Sequence, residues 1–430
     1  MNAPTQAASA PLAAASSPSW PHRLVVTLLV ILLALLVLIL LVPVVLLPLV
    51  TAVPAPVWAA LILADVALVV ALAWRARTYK AVAAGLLGLV GVAALAVVAS
   101  QMLAATPPIL GDDGQPLPGS IATLEKVNLN GSEQWITIRG KDTTKPILLY
   151  LGIGGPGAGG FPATAMNLSP LEDHFVVVNW DQPGTGKSYG ARPISTLTVQ
   201  QFVDDAEALT NLLRARFHQD RVYVMGLSWG TILGIKLVQQ HPGLFHAFVG
   251  TGQMVNTVEN DVFGYNLALQ VAAERGDQRT LDTLRANGPP PYTGDGMALK
   301  YAVYNNVLFD HMGSARLEVV LLVGPQFARE YGWVDKVNFD RGLLDSYPVV
   351  YEQLRDLDFT TQAASLDVPI YFLHGRHDVN AVAGLVERYY NVLQAPHKEL
   401  VWLDSGHGPG PDELLDGMIN HVLAHSPPTR

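Results

Sequence analysis

Apolar positions follow two different rhythms along this chain. Over the first hundred residues they run almost without interruption. No charged residue lies between Arg23 and Asp65, and none lies in residues 81–111. Residues 24 to about 46, 57 to about 74 and 81 to about 102 each approach the length needed to cross a bilayer. The pattern predicts three spans. Two spans, or a hairpin-like first segment broken at Pro43, are the competing readings. A cleaved signal peptide fits poorly, because further apolar segments follow the first one.

Past the Pro- and Gly-rich stretch "TPPILGDDGQPLPGS" (residues 106–120), apolar runs become short and end in turns. "TLEKVNLNGSEQWITIRG" predicts two strands around a turn at Asn130-Gly131. "PILLYLG", "HFVVVNWD", "RVYVMG" and "FHAFVGTG" are continuous apolar strands, and helical patterns cover residues 199–217 and about 229–240. Such alternation predicts a mostly parallel sheet covered on both faces. Residues 256–361 turn helical, interrupted by "NGPPPYTGDGM", before "VPIYFLHGRHD" and "KELVWLDSGHG" resume the strand-to-turn pattern. A helical insertion, forming a lid over the carboxyl ends of the strands, explains this order. The expected organisation is therefore a membrane region (1–105), a linker (106–122), a split α/β core (123–255 and 362–430) and a helical cap (256–361).

Charge and composition sharpen the picture. Half of the 430 residues are hydrophobic, too many for an ordinary soluble enzyme, and the excess lies at the N-terminus. Arg23 precedes the first apolar segment, and Arg75, Arg77 and Lys80 separate the second from the third. The positive-inside rule puts the N-terminus and that loop in the cytoplasm, so three spans place everything after about Pro107 outside. Two spans would make the large domain cytoplasmic. Asp65 is read as paired or near headgroups, with an intramembrane functional carboxylate as the rival. The absence of cysteine excludes disulfides, thiol catalysis and cysteine-ligated metals. A net charge of −9 without a basic tract argues against a nucleic-acid partner.

The chemistry centres on "VYVMGLSWGTILG" (residues 222–234). Gly226-Leu227-Ser228-Trp229-Gly230 matches the G-x-S-x-G elbow, in which two glycines permit a tight strand-to-helix reversal that exposes the serine hydroxyl. Ser228 is the candidate nucleophile, and the Trp229 amide points towards an oxyanion. Asp378 and His407 follow the last two strands. Serine, aspartate and histidine in that chain order match the α/β-hydrolase arrangement: His407 as base, Asp378 as its orienting carboxylate. Taken singly, the pair reads as a helix cap and a loop residue. His374 is expected to be packed and His377 to cap or line the site, while Asp404 precedes the loop. "LGIGGPGAGG" (residues 151–160) can supply the second oxyanion donor through the Gly155 amide. Its rival reading is a phosphate cradle, but no Lys-Ser/Thr pair follows. Gly184-Thr185-Gly186-Lys187-Ser188 is also short of a full phosphate-loop motif and reads as a structural turn. No cofactor or metal is called for.

Together, "GGPG" (154–157), "VNWDQPGTGKS" (178–188), "GLSWG", "GRHD" and "SGHGP" resemble the proline iminopeptidase branch of the α/β-hydrolase superfamily, peptidase family S33. The resemblance covers residues 123 to about 423. It implies an α/β-hydrolase fold with an inserted cap, here preceded by transmembrane helices, and a triad of Ser228, Asp378 and His407 with Gly155 and Trp229 as oxyanion donors. It implies a serine aminopeptidase acting on small peptides or amides; the branch also includes esterases. Family aminopeptidases bind the substrate ammonium with cap carboxylates, which makes Glu259 and Glu330 substrate-binding candidates. Two positions depart from the family pattern. Ile153 stands where a histidine usually opens the first loop, and Pro183 replaces the arginine of Asp-Gln-Arg-Gly. The expected protein is a membrane-tethered serine hydrolase held to the lipid bilayer by its N-terminal helices. A carboxylic-ester hydrolase and an inactive hydrolase-fold binding protein are the alternatives.

Overall fold

The computed structural model describes residues 20–75, 78–152, 155–161, 168–294, 296–313 and 324–428. Ile153, Gly154 and Arg77 lie outside them. The chain divides into two compact units, one of residues 1–45 and 58–96, the other of residues 46–57 and 97–430.

Among the described residues, three long helices occupy the N-terminal region: α1 (Trp20–Val45), α2 (Ala55–Arg75) and α3 (Tyr79–Met102), with a single short turn of helix at Leu47–Val50. Each is long and apolar enough to cross a membrane. Helix α1 continues through Pro43, which sits in its last turn, so the first segment is one helix rather than a broken hairpin. Leu32, Leu38 and Ile39 on α1 are 61%, 60% and 66% exposed, a surface suited to lipid rather than water. Helices α2 and α3 meet through small residues. A Cβ at Gly85 would lie 2.8 Å from Leu72 Cδ1, and one at Gly88 would lie 2.7 Å from Leu68 Cδ2.

The larger unit is built on an eight-stranded sheet: β1 (Ile121–Leu129), β2 (Ser132–Gly140), β3 (Ile147–Tyr150), β4 (Val176–Asp181), β5 (Val222–Leu227), β6 (Phe245–Thr251), β7 (Ile370–Gly375) and β8 (Lys398–Leu403). Their spatial order is β1-β2-β4-β3-β5-β6-β7-β8. β1 and β2 form an antiparallel hairpin whose turn, Asn130-Gly131, takes positive φ at both residues. β2 pairs antiparallel with β4, and all later pairs are parallel. Successive residues of one strand enter opposite cores. On β5, Val222 and Val224 join one cluster with Phe202 and Leu209 of α4 (Val199–Phe217), while Tyr223 and Met225 join another with Leu414 and Met418 near the C-terminus. Burial on both faces explains why these strands lack hydrophobic–polar alternation.

Between β6 and β7 the chain is helical: α5 (Trp229–Gln240) precedes β6, and α6 (Thr257–Glu274), α7 (Gln278–Asn287), α8 (Met297–His311) and α9 (Trp333–Tyr351) follow it. Helices α6, α7 and α8 share a hydrophobic cluster that includes Ala268, Leu284 and Leu308, with a polar group inside it. The buried carboxylate of Asp261 on α6 accepts hydrogen bonds from the hydroxyls of Tyr301 (2.9 Å), Tyr304 (3.1 Å) and Tyr351 (2.9 Å). A second buried carboxylate, Asp181 at the end of β4, accepts from the Gly160 amide (3.1 Å), the Lys187 amide (2.9 Å) and the Tyr331 hydroxyl (2.8 Å). Residues 184–188 therefore wrap this carboxylate, and a Cβ at Gly186 would lie 2.4 Å from Asp181 Oδ2. The Lys187 ammonium pairs with Asp335 at 2.7 Å, both side chains almost fully buried.

Burial pushes both Asp261 and Asp181 up to about 7, although their hydrogen-bond donors pull the other way. A carboxyl raised in the folded state contributes stability below its unfolded value of about 3.9 and loses that contribution as pH rises through the folded value. Across roughly pH 4–7 each group therefore lowers unfolding free energy by up to about 1.4 kcal/mol per pH unit. Asp261→Asn should shrink the difference between unfolding midpoints at pH 5 and pH 7, as read by thermal melts of the detergent-solubilised protein. An unchanged difference would show that Asp261 does not hold its proton in this window.

Candidate active site

Ser228 sits between β5 and α5 with φ 55° and ψ −116°, a left-handed conformation costly for a residue with a side chain. Neighbouring contacts hold it there. Its amide donates to the Thr251 carbonyl at 3.1 Å, and its carbonyl accepts from the Thr231 hydroxyl at 2.6 Å. That hydroxyl accepts in turn from the Met254 amide at 3.0 Å. The reversal leaves no room for side chains on either flank. A Cβ at Gly226 would lie 2.3 Å from the Gly230 carbonyl carbon, and one at Gly230 would lie 2.7 Å from the Gly152 oxygen.

Asp378 lies in the turn after β7, its side chain fully buried. It accepts from the backbone amides of Asn380 and Ala381, each at 2.8 Å, and lies 3.0 Å and 3.2 Å from His407 Nδ1 through its two oxygens. Burial by itself would raise this carboxyl, but the charge and hydrogen bond of His407, helped by His374 and the Ala381 amide, hold it below the ordinary carboxylate value. An ionised Asp378 keeps the His407 proton on Nδ1 and turns the Nε2 lone pair outward. That lone pair meets the side-chain amide of Asn380, whose nitrogen is 3.1 Å away. Among the described residues, no hydrogen bond joins Ser228 Oγ to His407.

The imidazole is nevertheless packed against the strand ends that carry the elbow. A Cβ at Gly252, just after β6, would lie 3.0 Å from His407 Cε1 and 3.1 Å from Leu227 Cδ1. The positive φ of Gly252 and the absence of its side chain make this approach possible. From the cap side, Phe309 of α8 meets the imidazole edge to face at 5.6 Å.

The loop after β3 is tied to the elbow by Gln182. Its Nε2 donates to the Leu151 carbonyl at 2.7 Å, and its Oε1 accepts from the Trp229 indole at 2.9 Å. Gln182 was not singled out from the sequence, although it lies within the "VNWDQPGTGKS" motif. Gly155 takes φ +93° and lies against the Tyr347 ring, only 3.0 Å from where its Cβ would be. A cleft of about 640 Å³ opens beside Asp378, lined by Phe263, Met312, His377 and Val382 among others.

The remaining candidates sit elsewhere. Glu259 lies in the first turn of α6, where its amide donates to the side-chain oxygen of the capping Asn256 at 3.0 Å, and its carboxylate pairs with Arg388 at 2.7 Å on the surface. Glu330 is buried before α9, where its charge acts on Lys336 and Tyr331. Among the described residues no hydrogen bond or ion pair joins either glutamate to Ser228, Asp378 or His407. His374 is fully buried, and burial lowers its basicity; its Nδ1 accepts from the Gln253 amide at 3.3 Å, leaving the Nε2 proton for the Ala381 carbonyl at 3.0 Å. His377 pairs with Asp404 at 2.9 Å on the exposed rim.

These features have counterparts in known proteins. A family model described as serine aminopeptidase, S33, matches residues 170–292, a stretch that contains Ser228. The "Probable aminopeptidase YbaC" of Bacillus subtilis is 31% identical over 321 residues, covering 72% of this chain and 99% of that protein. The "Probable proline iminopeptidase" of Streptomyces coelicolor is 33% identical over 103 residues, 23% of this chain and 30% of that protein. The crystal structure of VinJ superposes with a TM-score of 0.50 at 21% identity, covering 70% of this chain and 98% of that one, and shares the fold. The mostly parallel sheet, the inserted helices and a match that covers 72% of this chain and 99% of the Bacillus subtilis protein together make this chain a member of the S33 serine aminopeptidase family of α/β hydrolases.

Proposed function

We propose that the protein is a membrane-tethered serine hydrolase, an aminopeptidase of the proline iminopeptidase type, working through an acyl-enzyme. The observation that carries this reading is the buried, ionised Asp378 bonded to His407, whose ring lies against Gly252 beside the strand end that leads into Ser228. His407 Nε2 exchanges the Asn380 amide for the Ser228 hydroxyl and takes its proton as Oγ attacks the substrate carbonyl. The Trp229 and Gly155 amides stabilise the tetrahedral oxyanion. His407 then protonates the departing amine, and a water molecule, deprotonated by His407, releases the acyl group and restores Ser228.

Ester hydrolysis is the second reading. It is favoured by the pairing of Glu259 with Arg388 and the burial of Glu330 beside Lys336, which leave neither glutamate as an obvious ammonium acceptor. The three apolar helices support a membrane location, with the catalytic domain on the extracytoplasmic side.

A fluorophosphonate probe should label the wild-type protein at Ser228. In Ser228→Ala the labelling should vanish and kcat should fall by about 10⁴-fold or more; labelling that persists in this variant rejects Ser228 as nucleophile. On a panel of free-amine amides, N-blocked amides and simple esters, the aminopeptidase reading expects turnover to require the free α-amine. Equal or faster turnover of the blocked amides or simple esters rejects the aminopeptidase reading, and a preference for the esters over both amides moves the assignment to an esterase. Protease added to intact spheroplasts should digest the large domain; digestion only after membrane rupture contradicts the extracytoplasmic placement.

A further inference from the structure

At the opposite end of the sheet from Ser228, the amino end of β8 faces the last helical turns of the chain. His397 immediately precedes β8 and Glu399 is its second residue, so the two stand on one side of the strand at i, i+2. His421 and His425 lie one helical turn apart, at i, i+4, on the C-terminal helical segment. The fold brings the two pairs together. His421 Nδ1 lies 2.6 Å from Glu399 Oε1, whereas His397 Nε2 and His425 Nδ1 each lie 3.8 Å from Glu399 Oε2. The His397 and His425 rings are nearly parallel, 16° apart, with centroids separated by 5.6 Å.

Among the described residues, buried His397 Nε2 and Glu399 Oε2 find no hydrogen-bond partner, and they face each other across a gap too long for such a bond. An unpartnered buried carboxylate oxygen is costly, and a cation placed between it and His397 Nε2 would satisfy both; His425 Nδ1 lies 2.9 Å from the His421 carbonyl and would exchange that bond for the cation. Ligand atoms of His397, Glu399 and His425 already lie within 4.8 Å of one another. The surroundings hold them in place. The Tyr371 ring packs on His397 at 5.2 Å, and its hydroxyl reaches Ser426 Oγ at 2.7 Å, anchoring the chain just beyond His425.

We propose that His397, Glu399 and His425 form a binding site for Zn²⁺ or a similar divalent transition ion, with His421 orienting the carboxylate through Oε1. Two imidazoles and one carboxylate are a donor set suited to zinc, leaving a fourth tetrahedral position for water. A histidine hydrogen-bonded to a ligating carboxylate is the outer partner that such sites employ. The site lies a strand length from His407, roughly 17 Å at about 3.3 Å per residue. Its role is accordingly to clasp the C-terminal helix to the edge strand, separate from the chemistry at Ser228.

The test uses the full-length, detergent-solubilised protein without a polyhistidine tag, stripped with chelator and titrated with Zn²⁺ against a chromophoric competitor. One equivalent should bind at micromolar Kd or tighter and raise the unfolding midpoint, and Co²⁺ in its place should give the visible bands of a tetrahedral site. His425→Ala and the isosteric Glu399→Gln should each weaken binding by at least about 10-fold and abolish the midpoint shift. His421→Ala should weaken it about 10- to 100-fold. Near-UV circular dichroism and fluorophosphonate labelling of each variant check that it is folded, and these should be unchanged. No saturable equivalent in the wild type, or one that survives in both Glu399→Gln and His425→Ala, overturns the site. Neither outcome bears on the role of Ser228.

Discussion

Everything around the candidate nucleophile depends on one tight reversal of the backbone, from β5 into α5. The chain turns so sharply that Ser228 must take a positive φ, at a cost of about 1–3 kcal/mol, and the residues two positions to either side, Gly226 and Gly230, must lack side chains. The turn survives because neighbouring strands overdetermine it. Thr251 at the end of β6 holds the Ser228 amide, and the carbonyls of Leu151 and Gly152 after β3 leave space only for a bare Gly230. The order β3-β5-β6 at the centre of the sheet is thus what lets a strained serine persist. Gly252 extends the same logic, since its missing side chain opens the place where His407 rests.

The inserted helices are fastened to this platform by apolar packing, with Val350 of α9 in the cluster that holds Leu197 and Val199 and Phe339 in the one that holds Phe161, and by directional polar contacts. Asn260 on α6 grips the Asp378 turn: its Nδ2 donates to the Asn380 carbonyl at 2.7 Å, and its Oδ1 accepts from the Val382 amide at 2.9 Å. Ser346 on α9 donates to the Gly184 carbonyl at 2.8 Å, and Tyr331 reaches Asp181. Near the end of α3, Gln101 donates to Asp335, the carboxylate that also holds Lys187. Cap position and loop geometry are therefore linked through hydrogen bonds that are directional and specific in register.

Much of this was legible residue by residue. The apolar runs located the three long helices, and Ser228, Asp378 and His407, the proposed triad, each sit where a hydrophobic run gives way to a polar turn. Other parts were not. Charge and cap location make Glu259 and Glu330 candidates in the sequence, while the fold pairs Glu259 with Arg388 and buries Glu330 by Lys336; charge alone does not reveal which partner is nearer. Asp261 drew no notice because a lone acid on a helix normally faces water, and only the convergence of three tyrosines from α8 and α9 buries it. His397-x-Glu399 and His421-x-x-x-His425 carry strand and helix spacings, but nothing local says that one pair will face the other.

The sequence by itself determined the local events: which segments are long and apolar, where strands stop, and which residues can occupy a strained turn. Those follow from periodicity, from glycine's missing Cβ and from the order of motifs along the chain. The tertiary structure alone decided which distant groups meet. It set the Asn380 amide on His407, the Gln182 bridge between the β3 loop and Trp229, and the histidines of the last helix against β8. The physical reason is range: backbone preference acts over a few residues, whereas a hydrogen bond or a shared ligand depends on sub-ångström placement by the whole sheet.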